Sequence, residues 1–153
     1  MKTPSPSFNL RPAQESDAEA IRTLIQKVHI NPMGLNWQRF TLAVDGTGEM
    51  IGCIQVKPHR DGSQELASLA VEPEWQGHSV GRALVQHVLS RHPGPLHLTC
   101  RASLGPYYEQ FGFSTLSPDE MPAYFRRFYR LFNLLKALPL IDEGLLVMRR
   151  AAD

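Results

Sequence analysis

Residues 65–89 read ELASLAVEPEWQGHSVGRALVQHVL. The apolar residues up to Val71 predict a strand, and the apolar spacing after Gly81 predicts a helix. The turn between them, Gln76-Gly77-His78-Ser79-Val80-Gly81, contains three small residues, namely two glycines and one serine. Small residues at the start of a helix leave backbone N–H groups uncovered, next to the positive end of the helix dipole. The stretch therefore predicts a strand, a turn and a helix that together can bind a phosphorylated ligand.

Short elements of both kinds surround this stretch. The predicted strands are 8–12, 40–44, 50–56, 65–71, 96–100 and 145–148, and the predicted helices are 17–28, 81–90, 107–111 and 121–138. Ser16 or Asp17 can cap the first helix, and the box Ser117-Pro118-Asp119-Glu120 can cap the last. This order predicts a mixed α/β fold, with 1–153 as one domain and 1–6 as a flexible tail.

The composition excludes several classes of protein. The net charge of +1, with 42% apolar and 20% charged residues, gives no electrostatic basis for binding nucleic acid. No apolar run reaches the roughly 18–20 residues of a membrane span. Two cysteines, Cys53 and Cys100, are too few for a disulfide framework, so we expect a reducing cytoplasm. The six histidines show no metal-ligand spacing, and we expect no metal.

Three segments of the chain match a known family. They are LAVEPEWQG (69–77), HSVGRAL (78–84) and YYEQFGF (107–113). In this order and at this spacing, the chain resembles the GNAT superfamily of acyl-CoA-dependent N-acetyltransferases over about residues 8–113. The resemblance implies a single-domain α/β fold whose mixed, mostly antiparallel sheet is splayed at its centre and flanked by helices. It also implies acetyl-CoA as co-substrate.

The resemblance further implies which residues hold acetyl-CoA. They are Leu69, Ala70, Val71, Gln76, Gly77, His78, Ser79, Val80, Gly81, Arg82 and Arg101. Backbone N–H groups of 77–82 would bind the pyrophosphate, and those of 69–71 would bind the developing oxyanion. Ser79 replaces the first glycine of the family loop and must adopt the turn without glycine's conformational freedom. Arg101 replaces a frequent asparagine, and it cannot accept a hydrogen bond from the pantetheine arm.

Acyl transfer to an amine needs a base for the acceptor and an acid for the thiolate. By the family motif the acid is Tyr108, and Tyr107 falls one residue off the family spacing. Glu65 is the candidate base, because burial on an apolar strand face makes a carboxylate more basic. The alternatives for the base are a water chain and, more weakly, Ser68. Glu65 itself could instead be a solvent-exposed glutamate at the end of the strand, without a catalytic role.

Two segments are candidates for binding the acceptor. Residues 31–40 (NPMGLNWQRF) could form a partly buried lid or belong to the core. Residues 117–138 form a helical segment that is unusual for the family, and Arg126, Arg127 and Arg130 lie mostly off its apolar face. This segment could cover the sheet, form a homodimer contact, act as a lid that supplies arginine to an acidic acceptor or, least favoured, bind a membrane surface.

Taken together, the residues predict an N-acetyltransferase that moves the acetyl group of acetyl-CoA to a primary amine. The expected acceptor is a small molecule or amino-acid-like compound, with direct transfer in a ternary complex. Two alternatives remain, namely a protein or peptide N-acetyltransferase and a non-catalytic acyl-CoA sensor. The presence of both Glu65 and Tyr108 argues against the sensor.

Overall fold

The computed structural model describes residues 6–136 and 143–152, and in them the predicted order of strands and helices is present. The strands are β1 Phe8–Pro12, β2 Phe40–Asp45, β3 Met50–Pro58, β4 Gln64–Val71, β5 Leu96–Arg101, β6 Ser114–Thr115 and β7 Leu145–Arg150. The helices are α1 Ala18–Lys27, α2 Val80–Arg91, α3 Gly105–Glu109 and α4 Ala123–Leu135. Residues 1–5 of the predicted tail and 137–138 of the predicted last helix lie outside the described residues.

The strands pair in the order β1-β2-β3-β4-β5-β7-β6. The pairs β1 with β2, β2 with β3, β5 with β7 and β6 with β7 are antiparallel. Strands β4 and β5 are parallel, with Glu65 opposite His97. This mixed, mostly antiparallel sheet with its helices confirms the predicted fold class.

One compact unit contains the described residues up to Lys57 together with Leu66–Arg91. Its buried apolar cluster joins α1 to the first four strands through Ile21, Leu24, Ile25, Phe40, Leu42, Val44, Cys53 and Ala70. Helix α2 lies directly against Gly52 of β3. A Cβ atom at Gly52 would lie 3.1 Å from Val80 Cγ1, 3.2 Å from Leu84 Cδ1 and 3.2 Å from the Ala70 carbonyl oxygen. The absence of a side chain at Gly52 therefore sets how closely α2 approaches the strands.

Replacing Gly52 by alanine should lower the free energy of unfolding by about 1–3 kcal/mol, because the added methyl group overpacks a tight contact. Gly46→Ala is the matched control, since a Cβ atom there meets nothing within 4 Å. Urea denaturation of both variants measures the difference. Equal midpoints for the two variants would contradict the close contact between α2 and β3.

The second unit contains Pro58–Glu65 and the described residues from His92 onward. Its buried apolar cluster consists of Leu116, Met121, Phe125 and Val147. Phe125 of α4 is fully buried, and its ring stacks on that of His97, with a centroid distance of 5.2 Å. Helix α4 thereby covers β5 and β7 with its first turn, which supports the plainest interpretation of the amphipathic segment.

The starts of two helices differ from the sequence prediction. The capping box of Ser117 and Glu120 is present, but it closes a 3-10 turn at Pro118–Glu120. Pro122 then takes an extended conformation, so α4 begins only at Ala123. The cap of α4 comes from Asp61, whose Oδ2 accepts a hydrogen bond from the Tyr124 N–H at 3.0 Å. Hydrogen bonds from Ser63 and then from Tyr124 lower the pKa of Asp61 to about 2.

At the first helix, a 3-10 turn at Glu15–Asp17 precedes α1. The carboxylate of Asp17 accepts a hydrogen bond from the Gln14 N–H and pairs with Arg11 at 2.7 Å. Asp17 does occupy the cap position of α1, but its side chain makes no capping bond to that helix. The predicted cap by Ser16 or Asp17 was wrong in this respect, because the carboxylate bonds backwards along the chain. Strand β6 was missed, since two residues carry no periodic pattern.

Candidate active site

The turn before α2 has the backbone geometry of an anion-binding loop. Gly77 and Ser79 both have positive φ angles, +84° and +64°. Helix α2 begins at once at Val80, whose side chain is buried and anchors the turn to the core. Gly77, His78 and Ser79 are exposed, and Gln76 Nε2 donates to the Val71 carbonyl oxygen at 3.2 Å. The turn is thus tied to β4 behind it, while the start of α2 remains accessible to a phosphorylated ligand.

Ser79 adopts the left-handed conformation that glycine provides in the family loop, and this conformation costs a residue with a Cβ atom about 1–2 kcal/mol. We expect Ser79→Gly to raise the free energy of unfolding by about 1 kcal/mol, because it removes this strain. Ser79→Val should lower both stability and affinity for CoA, since a β-branched residue disfavours positive φ more strongly. Thermal unfolding and CoA titration calorimetry measure the two effects. A destabilised Ser79→Gly variant would contradict the assigned strain.

Strand β4 contains one residue in the left-handed conformation, Ser68, where φ is +58°. Ser68 is buried, its Oγ accepts a hydrogen bond from Gln55 Nε2 at 2.8 Å, and its carbonyl oxygen accepts from Cys53 Sγ at 3.6 Å. Ser68 comes just before Leu69–Val71, the candidate oxyanion donors. The buried positions of β4 alternate as Leu66, Ser68 and Ala70, whereas Glu65 is buried directly next to Leu66.

Gln55 was missed by the sequence analysis, although a glutamine within the apolar run of β3 was a visible signal. Its side chain is fully buried. Besides Ser68, its Nε2 contacts the Gly34 carbonyl oxygen at 3.3 Å. Lys57 Nζ donates to the neighbouring Met33 carbonyl oxygen at 3.0 Å. Two side chains of β3 therefore hold the segment 31–40, for which a partly buried lid and a part of the core were the two predictions.

Glu65 is buried at the start of β4, with 7% of its surface exposed, so it is not a solvent-exposed strand end. Its Oε1 lies 2.8 Å from His59 Nε2. His59 belongs to the turn between β3 and β4, and nothing in its sequence context marked it. The structure therefore provides the candidate base with a hydrogen-bonding partner that the sequence did not suggest.

Tyr108 lies in α3 and is 9% exposed. Its ring packs edge-on against Tyr107 and Phe113, with centroid distances of 5.1 and 6.1 Å. Burial, followed by the neighbouring Cys100 and Tyr107, raises the pKa of Tyr108 above its ordinary value. The phenol therefore keeps its proton at neutral pH, which a proton donor to a departing thiolate requires. Tyr107 is only half-buried.

Arg101 lies exposed at the end of β5. Ser103 lies before the short helix α3, and its N–H donates to Glu143 Oε1 at 2.7 Å. Hydrogen bonds from Ser103 and then the charge of Arg101 lower the pKa of Glu143. The positive charge of Arg101 at the end of β5 therefore lies close enough to Glu143 to stabilise its carboxylate.

Arg126 supports the chain before α4. Its guanidinium donates to the carbonyl oxygens of Pro118 and Met121 at 3.1 Å each. These bonds fix the turn that leads into α4 and occupy the Arg126 side chain. Arg127 and Arg130 are the exposed arginines of the helix. The alternative in which α4 supplies an arginine to the acceptor therefore rests on those two residues.

Cysteine and metal chemistry find no support in the described residues. Burial raises the pKa of Cys53 to about 12 and that of Cys100 to about 11, so neither thiol is an activated nucleophile. Residues 6–136 and 143–152 contain no group of three His, Cys, Asp or Glu side chains that could hold a metal ion. Within the same ranges, no helix is both long and apolar enough to cross a lipid bilayer.

Residues 36–115 match the model of the acetyltransferase (GNAT) domain. The chain belongs to the GNAT acetyltransferase family. The match contains β2 to α3, and with them the turn before α2, Glu65 and Tyr108. The family that the three sequence segments suggested is thereby confirmed.

Among the relatives of this GNAT chain is the amino-acid acetyltransferase of Neisseria meningitidis serogroup B, which is 26% identical over 80% of the chain. The solved N-acetylglutamate synthase of Neisseria gonorrhoeae, complexed with coenzyme A and N-acetyl-glutamate, has a TM-score of 0.74, 21% identity and 96% coverage of the chain. The chain spans about a third of the length of these two proteins, 31% and 35%. Rv2747 from Mycobacterium tuberculosis, in complex with CoA, has a TM-score of 0.71 and 20% identity, with 95% of this chain and 99% of that one covered. The two structural likenesses show the fold.

Proposed function

We propose that this protein transfers the acetyl group of acetyl-CoA directly to the primary amine of a small, amino-acid-like acceptor. The observation that carries the proposal is the GNAT domain match over residues 36–115, which contains the glycine-containing turn and the buried Glu65. The acceptor class is supported by the relative called an amino-acid acetyltransferase and by the fold shared with N-acetylglutamate synthase.

The turn before α2 fits the pyrophosphate of acetyl-CoA. Gly77 and Ser79 have the positive φ angles that aim successive N–H groups to one side, and the turn is exposed. The backbone N–H groups of 77–82 would hold the two phosphates, with side-chain contacts from Arg82 and His78. Acetyl-CoA supplies an acetyl group that is activated as a thioester.

The remaining chemistry belongs to side chains and backbone of this chain. Glu65 accepts a proton from the acceptor ammonium and frees its lone pair for attack on the thioester carbonyl. The N–H groups of Leu69–Val71, just after Ser68, stabilise the negative charge on the carbonyl oxygen. Tyr108 donates its proton to the CoA sulfur as the C–S bond breaks, and the second proton of the attacking nitrogen returns through solvent to the Tyr108 oxygen. Glu65 then releases its proton to solvent. The products are the N-acetylated acceptor and CoA.

A thiol-release screen tests this proposal. The purified protein is mixed with acetyl-CoA and one member of a panel of amino acids, polyamines or short peptides, and free CoA is measured against a reaction without acceptor. We expect release with one or more amino acids and none above background with peptides. Release with peptides alone would assign a protein or peptide acetyltransferase. CoA binding without release from any acceptor would assign a sensor.

The predicted compartment and oligomeric state belong to the same proposal. We infer a cytoplasmic protein, because the two cysteines are free and buried in strands. A homodimer contact of α4 stays a prediction. It is supported by the exposed apolar side chains Leu131, Leu134 and Leu135 near the end of this helix.

A further inference from the structure

The candidate base Glu65 makes a buried contact with a histidine side chain. His59 Nε2 and Glu65 Oε1 lie 2.8 Å apart, and the two side chains are only 12% and 10% exposed. The turn that carries His59 is closed by two backbone hydrogen bonds, from His59 N–H to the Ser63 carbonyl oxygen at 2.9 Å and from Gly62 N–H to the His59 carbonyl oxygen at 3.0 Å. The turn therefore fixes the backbone of His59 independently of its contact with Glu65.

Helix α4 fixes the imidazole ring from the other side. The ring of Tyr124 stacks on that of His59 with centroids 3.6 Å apart and planes 16° apart. Phe125 meets the same imidazole edge-on at 5.6 Å. Asp61, two residues after His59, accepts the hydrogen bond from the Tyr124 N–H. The turn and α4 therefore hold each other at two points, and the His59 ring is confined between them.

Stability alone does not explain this arrangement. A buried pair of a carboxylate and an imidazole must give up the hydration of both groups, and apolar residues of similar volume often stabilise a protein as well or better. The aromatic cluster of Tyr124, Phe125 and Phe128 could pack against such a residue at position 59. A hydrogen bond to one oxygen of Glu65, however, fixes the direction of the whole carboxylate.

We propose that His59 is the positioning residue for the base Glu65. The His59 Nε2–H donates to Glu65 Oε1, and Oε2 is then the oxygen that accepts the proton of the acceptor ammonium. The donated proton stays on His59 throughout, so one proton moves from the acceptor to Glu65 and none moves within the pair. The inference rests on the proposed acetyl transfer and adds a residue to it.

Two substitutions separate positioning from packing. His59→Gln keeps an N–H donor on a side chain of similar reach, whereas His59→Leu keeps apolar volume and has no donor. With the best acceptor of the screen, we expect His59→Leu to lower kcat by about 10-fold to 100-fold, because a misplaced catalytic group costs this much. The KM for acetyl-CoA should stay within twofold, and His59→Gln should retain most of the wild-type kcat.

The double variant Glu65→Gln/His59→Leu makes the test specific. If His59 acts through Glu65, its loss should lower kcat no further once Glu65 is replaced. Equal kcat for the wild type and a folded His59→Leu variant would overturn the proposal, as would equal losses in His59→Leu and His59→Gln.

Thermal unfolding checks that each variant folds. If His59→Leu does not, Tyr124→Ala, which removes the stacking, should still lower kcat relative to Tyr124→Phe, and equal kcat for these two would overturn the proposal. A wild-type protein that releases no CoA with any acceptor would instead overturn the proposed function, and this inference with it.

Discussion

Replacing Tyr108 by phenylalanine should lower kcat by about 100-fold or more while the KM for acetyl-CoA stays within twofold. The change removes one hydroxyl group from a buried ring and keeps the packing against Phe113. General acid catalysis contributes about 10²–10⁴-fold to reactions of this kind. Because burial keeps the phenol protonated, the proton should be available over the whole neutral range.

Steady-state kinetics with a thiol reagent measure this effect, and calorimetric titration measures CoA affinity independently. Tyr107→Phe is the matched control, since Tyr107 is the adjacent tyrosine of α3 and is half-buried. It should retain most of the wild-type kcat. An unchanged kcat in Tyr108→Phe from pH 6 to pH 9 would remove Tyr108 from the mechanism and leave solvent as the proton donor.

Replacing Glu65 by glutamine should lower kcat/KM for the acceptor by about 100-fold at pH 7, because the acceptor amine is then an ammonium ion without a base. The loss should shrink as the pH rises, since the fraction of free amine increases and the base becomes dispensable. Glutamine keeps the size of the side chain and can still bond to His59. A fall in activity therefore reports on the lost negative charge.

Glu72→Gln is the control for this variant. The Glu72 side chain is paired with Lys27 at 2.7 Å and has no role in the proposed mechanism, so its substitution should leave kcat/KM within twofold. The pH profile distinguishes two mechanisms. A Glu65→Gln defect of the same size at every pH would mean that Glu65 positions the acceptor, and no defect at all would assign the base to a water chain.

The sequence was sufficient where structure depends on local geometry. The turn before α2 contains two residues with positive φ, Gly77 and Ser79, and both stand within the predicted turn. Tyr108 lies in the predicted short helix, four residues before Gly112. Strand bounds were accurate for the same reason, since β1 to β5 each carry an apolar pattern of five or more residues.

The sequence was insufficient where a residue acquires its role from a distant part of the chain. Asp61 caps α4 by accepting a hydrogen bond from the N–H of Tyr124, which lies 63 residues later in the chain. The sequence instead favoured the capping box of Ser117 and Glu120, which is local in the chain. In the sequence, His59 is an ordinary histidine in a polar turn. Its contacts with the aromatic residues of α4 are seen only in the structure. Gln55 was visible as a polar residue in an apolar run, but its contact with Gly34 depends on how the segment after α1 folds back.

The glycine at position 52 has a consequence beyond core packing. Val80 opens α2, follows the turn that we propose binds phosphate, and would be displaced by a methyl group at Gly52. We therefore expect a substitution at Gly52 to move the start of α2 and the N–H groups of 77–82 with it. Under the proposed function, one substitution in β3 should then lower both the stability of the core and the affinity for acetyl-CoA. Selection for stability and selection for cofactor affinity would act on Gly52 together.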